Sequence, residues 1–128
     1  MNEMTYAYLK AELLSAKGKH LLFKSRLRAY VHDPTKVPEE LLVNHLACDL
    51  GKWIESAKLI FDNLPSLIQL DQVHRELHVV AQEVVICKRA RNELCVSERL
   101  KRAEGVMKEV VECIEGIEEE VRRWKLIG

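Results

Sequence analysis

Apolar residues return along most of this chain at alternating steps of three and four, the period of a helix that buries one face. Near the N-terminus Leu9, Leu13, Ala16, His20, Phe23, Leu27 and Tyr30 follow Tyr6 on one stripe, which stops at His32-Asp33-Pro34. Asp33 to Val37 reads as a turn. Pro38 then suits the first turn of a second helix, where its missing N–H costs nothing and Glu39 and Glu40 face the positive end of the helix dipole. This helix is predicted from about Pro38 to Leu64 through Leu42, Leu46, Leu50, Trp53, Ala57 and Ile60, with Gly51 as a weak point inside it and Cys48 beside its stripe. The link Asn63-Leu64-Pro65-Ser66 opens a third helix, with Leu67, Leu70, His74, Leu77, Ala81 and Val84 on one face, continuing to about Leu94. A turn near Val96-Ser97-Glu98 leads to the last helix, whose seam is Val96, Leu100, Ala103, Met107, Val110, Ile114, Ile117, Val121 and Trp124.

The pattern predicts an all-α protein, packed most simply as an antiparallel up-down-up-down four-helix bundle. Few β-branched alternations, five glycines and three prolines leave strands without support. A chain of 128 residues with 48% hydrophobic content suffices for one core, so residues 1–128 read as a single domain, without internal repeats or linkers. The regular last seam is read as the fourth helix of the bundle; the alternative is a seam for a second copy or another partner.

Charge narrows the partners. Twenty Lys and Arg balance twenty Asp and Glu, so no global field attracts nucleic acid or an anionic membrane. Residues Met1 to Lys10 lack the apolar run of a signal peptide, and no stretch has transmembrane length, so a cytoplasmic protein is expected. In that setting Cys48, Cys87, Cys95 and Cys113 are expected to be thiols, the last three as small, partly buried hydrophobes.

The chemistry concentrates on histidines. His20 and His74 stand where the stripes call for leucine or isoleucine, and a buried imidazole must find partners for its ring nitrogens. A lone histidine so placed is ordinarily a hydrogen-bonded core residue. His74-x-x-x-His78, however, sets two imidazoles one helical turn apart, close enough to chelate one metal. With His20 from the first helix and Cys48 from the second, they make a tetrahedral three-nitrogen, one-sulfur set that suits zinc over magnesium, calcium or manganese. Asp71, three residues before His74, is a candidate to orient an imidazole through its N–H, or else a solvated acid near a helix start. His45, one turn before Cys48, is a candidate substitute or competing ligand, His32 is expected to face solvent, and neither enters the primary set.

Three blocks resemble the bacterial chemoreceptor zinc-binding domain family: Lys19-His20-Leu21-Leu22-Phe23-Lys24-Ser25-Arg26-Leu27, Cys48-Asp49-Leu50-Gly51-Lys52-Trp53 and His74-Arg75-Glu76-Leu77-His78. They stand in the family's order and at about its spacing, span residues 17 to about 86, and the second is the most specific. The resemblance implies zinc ligation by His20, Cys48, His74 and His78, with Phe23 where the family often has tryptophan, a swap that keeps an aromatic wall. It further implies a sensory domain of the kind found at the ends of cytoplasmic chemoreceptors, beside diguanylate cyclases or alone, often homodimeric and responding to zinc or to oxidants such as hypochlorous acid.

Four protein ligands leave no open position for substrate, and no phosphate loop, nucleophile elbow or carboxylate pair is present, so an enzyme is not expected. Output would pass through a partner, which the resemblance makes a chemoreceptor or a cyclic-di-GMP enzyme. Two other classes compete. A di-iron bundle would need Glu-x-x-His motifs, which are absent, and a metal-free scaffold would carry its histidines merely as buried residues.

Overall fold

The computed structural model describes residues 3–61 and 64–127, with the side chains of 3, 4 and 125–127 left aside; Asn63, in the expected link, lies outside the described residues. Five α-helices and a 3-10 turn make up the order: α1 (Glu3–His32), the turn Pro34–Lys36, α2 (Glu40–Val43), α3 (Asp49–Ile60), α4 (Pro65–Arg89) and α5 (Glu93–Ile127). No strand occurs among the described residues.

Periodicity places the long helices well because each buries the stripe it was expected to bury. Leu9, Leu13, Ala16, His20, Phe23, Leu27 and Tyr30 of α1 are all buried, as are Leu67, Leu70, His74, Leu77, Ala81 and Val84 of α4. The seam of α5 from Ala103 through Val121 lies in the same core, with half-buried Leu100 packed against it and Val96 buried outside it, while Trp124 at the end of the seam is exposed. Burial within this chain thus accounts for a heptad pattern that a partner helix could also have explained.

Polar pairs fix how the helices run. Lys17–Glu118 at 3.5 Å and Arg28–Glu104 at 3.9 Å set α1 antiparallel to α5. Glu83 meets Arg99 near one end of the α4–α5 pair, and Ser66 donates to Glu120 Oε1 from both its backbone N–H and its hydroxyl at the other. The second of these contacts serves a free N–H at the start of α4, a role usually taken by a local N-cap side chain.

The second predicted helix is divided. α2 has a single turn, an irregular link runs from Asn44 to Cys48, and α3 starts at Asp49. Asn44 is responsible: its Oδ1 accepts the N–H of Leu46 at 3.0 Å, and its carbonyl accepts the N–H of Ala47. A short amide side chain here competes with the helix for backbone donors. Leu46, expected on the buried face, is consequently exposed in the link, and Ile60 is exposed at the end of α3, where Phe61 is buried beside it. Gly51 is no weak point: it is buried within α3, and a Cβ there would stand 1.7 Å from the carbonyl oxygen of His45. The glycine lets the link lie directly on the helix.

The last turn also comes earlier than expected. α4 ends at Arg89, and Arg91 adopts a left-handed φ of 55° before α5 begins at Glu93. This tight reversal brings Cys87 and Cys95 together with their Cα atoms 5.5 Å apart, and they form a disulfide instead of the expected thiols. Cys48 and Cys113 remain free and buried.

Glycine substitutions separate close approach from mere helix tolerance. Gly51→Ala must move the His45 backbone and is expected to destabilise by about 1–3 kcal/mol. Gly105→Ala, on an exposed helix face with nothing within 4 Å, is expected to stabilise by about 0.5–1 kcal/mol. Urea unfolding of the two variants against the parent checks both signs.

Candidate metal centre

Two elements converge where the thiol and the two imidazoles were expected. Cys48 is the N-cap of α3, with extended φ and ψ of −73° and 141°, and it is buried. His74 and His78 project from α4 one turn apart. Ligand atoms of Cys48, His74 and His78 all lie within 4.8 Å of one another, and each residue is buried.

The two imidazoles are poised for chelation. Their Nε2 atoms stand 3.1 Å apart and their ring centres 4.6 Å apart. Two nitrogens bound to one tetrahedral zinc would be separated by roughly 3.3 Å. The tautomer of His78 is set by its other nitrogen: Nδ1 lies 2.5 Å from the carbonyl oxygen of Leu42, so Nδ1–H donates and the Nε2 lone pair is left for a ligand. That carbonyl is available because of the break after α2. In a continuous helix the N–H of Leu46 would bond Leu42; here it bonds Asn44 instead.

Neighbouring groups hold these parts in place. The Phe23 ring packs against His78 with centroids 4.8 Å apart, forming the expected aromatic wall. Arg26 on α1 pairs with Asp49, next to Cys48, at 3.0 Å. Trp53 Nε1–H donates to Glu12 at 3.1 Å, a second tie between α3 and α1. Asp71 does not orient an imidazole as considered: its carboxylate pairs with Lys58 at 3.0 Å and Arg75 at 3.2 Å. The orienting acceptor is instead a main-chain carbonyl, which sequence patterns do not reveal.

His20 is buried on α1 and stands outside the close trio. Its Nδ1 and that of His74 are buried without hydrogen-bond partners among the described residues, so polar atoms next to the trio lack the partners burial demands. A surface groove between α1 and α5, lined by His20, Lys24, Glu104, Met107 and Lys108, reaches His20 from outside. His45 sits half-buried in the link, its ring edge-on to His74 at 6.3 Å. His32 is exposed at the end of α1, as expected, and has no part in the cluster.

Burial governs the electrostatics. It lowers His20 to about 4, helped by Lys24. It likewise lowers His74 to about 3, with His78 and His45 adding to the effect, and His78 to about 4. All three imidazoles are therefore neutral at ordinary pH, the form that binds metal. Burial pushes the Cys48 thiol up, while the N–H groups of Gly51 and Leu50 at the start of α3 favour its thiolate. Two neutral imidazoles, a thiol near a helix N-terminus and unpartnered ring nitrogens fit a soft or borderline divalent metal, with the sulfur as its anionic ligand.

The family model of the chemoreceptor zinc-binding domain matches residues 20–85, just over half the chain. The chain belongs to the chemoreceptor zinc-binding domain family. Comparison with curated proteins and with solved structures gave no match. The stretch that matches the chemoreceptor zinc-binding family contains the whole trio, His20, the link and Leu42. It stops short of the disulfide and of α5.

Acid should destabilise the metal-free protein through these imidazoles. An unfolded histidine takes its proton near 6.5, whereas His20 and His78 hold out to about 4 and His74 to about 3. The unfolded state therefore binds more protons across that window, and stability present above pH 6.5 is lost as pH falls toward 4. Thermal melts of chelator-treated parent and His74→Gln check this: the variant's melting temperature should vary less with pH over the same range.

Proposed function

We propose that this protein is a zinc-binding sensory bundle in which His20, Cys48, His74 and His78 hold one zinc ion. The observation that carries the reading is the convergence of the Cys48, His74 and His78 ligand atoms within 4.8 Å, with His78 held in the metal-binding tautomer by Leu42. His20 is the fourth ligand in this reading, supported by its burial and unpartnered Nδ1. We read the four longer helices as an up-down bundle with α2 as a short insertion.

The protein is not an enzyme in this reading, because four protein ligands leave the metal no open position. Its task is regulatory, in the cytoplasm, with zinc or an oxidant as signal. Cys48 carries the sensitivity: its thiolate is the one ligand open to two-electron oxidation, and its protonation opposes metal binding. When that ligand is lost, α3 is no longer tied through the site to α4, and the Asn44–Cys48 link is the natural place for the bundle to shift. The altered shape is passed on by contact with a chemoreceptor or a cyclic-di-GMP enzyme, the protein itself acting as a homodimer.

Elemental analysis of protein purified without a polyhistidine tag tests the site. The parent should carry about one zinc per chain, and Cys48→Ala and His78→Ala should each bind it at least about tenfold more weakly in competition with a chelator. His20→Ala should also weaken binding. A parent without zinc, melting identically with and without chelator, would return the protein to the metal-free scaffold class.

A further inference from the structure

The link that delivers Cys48 carries a second metal-binding side chain that the ligand set above does not use. His45 lies three residues before Cys48, half-buried, with its ring edge-on to His74 at an interplanar angle of 72°. Its position is not that of a loose surface histidine. The Asn44 side chain pins the turn on one side, and the His45 carbonyl rests against Gly51 on the other, so the main chain is held against α3. The ring is thereby kept beside His74, and a positive charge on it would act on both His74 and His78.

Distance decides what it can do. Two imidazoles sharing one tetrahedral zinc have ring centres roughly 5 Å apart. His74 and His78 already meet that separation at 4.6 Å, while His45 and His74 stand at 6.3 Å. His45 is thus about 1 Å too far to be a ligand while Cys48 holds the metal, and close enough to become one by a small shift of an irregular link. Neutral imidazole and thiolate are both good zinc ligands, so the exchange keeps coordination complete and alters only the charge of the site.

We propose that His45 is a reserve ligand that takes the place of Cys48 when the thiolate is lost, so that the signal is a ligand exchange with zinc retained and not a release of zinc. This deepens the zinc reading given above and rests on it. As a result Cys48 is freed from the site while the link itself stays anchored through His45. The oxidative route is balanced with hypochlorous acid as oxidant: the thiolate sulfur gains oxygen and becomes a sulfenic acid, and chloride leaves.

The test compares parent, His45→Ala, Cys48→Ala and the double variant, each purified without a polyhistidine tag, by zinc competition with a chromogenic chelator and by the visible spectrum of the cobalt(II) form. His45→Ala should bind zinc within about threefold of the parent and keep the thiolate-to-cobalt charge-transfer band. Cys48→Ala should lose that band, yet keep one tetrahedral metal, and adding His45→Ala should weaken binding by a further tenfold or so. Because Cys48→Ala could fail to fold, parent and His45→Gln are also treated with one equivalent of hypochlorous acid: the parent should retain its zinc and the variant release it. Equal affinities of Cys48→Ala and the double variant, equal zinc release from oxidised parent and His45→Gln, or a loss in His45→Ala as large as in Cys48→Ala would each overturn the reserve role. A parent that binds no zinc would fail the earlier reading instead.

Discussion

The hydrogen bond from His78 Nδ1 to the carbonyl of Leu42 is the contact on which the centre depends. It selects the tautomer that frees Nε2, and it joins the short α2 to the long α4. It also sits at a broken helix. A carbonyl inside a continuous helix already accepts a bond from four residues on; with α2 ending at Val43, the N–H of Leu46 goes to Asn44 and leaves the Leu42 carbonyl to His78. The same break puts Cys48 at the start of the next helix, where backbone N–H groups favour its thiolate.

The blocks that mark the family in sequence find a common purpose around that break. Arg26 holds Asp49 beside the cysteine, Trp53 reaches Glu12 on α1, and Gly51 makes room for the His45 carbonyl. Phe23 closes one side of His78. Each acts on the placement of α3 or of a ligand ring. Tyr30 belongs to the same frame: its hydroxyl donates to Glu39 at 2.7 Å, Glu39 pairs in turn with Arg89 of α4, and burial together with that carboxylate pushes the phenol up to about 12. The stretch before α2 is thus tied to both long helices that flank it.

Periodicity revealed the helices because burial of one face dominates their energetics, and the stripes of α1, α4 and α5 could be read almost residue for residue. What escaped was decided by short-range polar competition. Asn44 diverts two backbone donors without any Gly or Pro to announce it, and Arg91 takes a left-handed conformation in a stretch of good helix formers. The disulfide followed from that unseen turn. At the site, His74, His78 and Cys48 were legible from residue type and spacing, whereas the group that orients His78 is a carbonyl, which every residue possesses. Asp71 was the reasonable guess from sequence, and nearby cations claim it instead.

The α4–α5 hairpin is clasped at both ends, by the Cys87–Cys95 disulfide at the turn and by Glu120 across the start of α4. Two of the three clustered side chains, His74 and His78, ride on this braced hairpin, while the Cys48 thiol rides on α3 and its link. The cluster therefore spans two differently built parts, a hairpin cross-tied at both ends and a segment joined to α1 through Arg26–Asp49 and Trp53–Glu12. A metal held among these side chains would bridge the cross-tied hairpin to the part of the chain formed by α2, the link and α3.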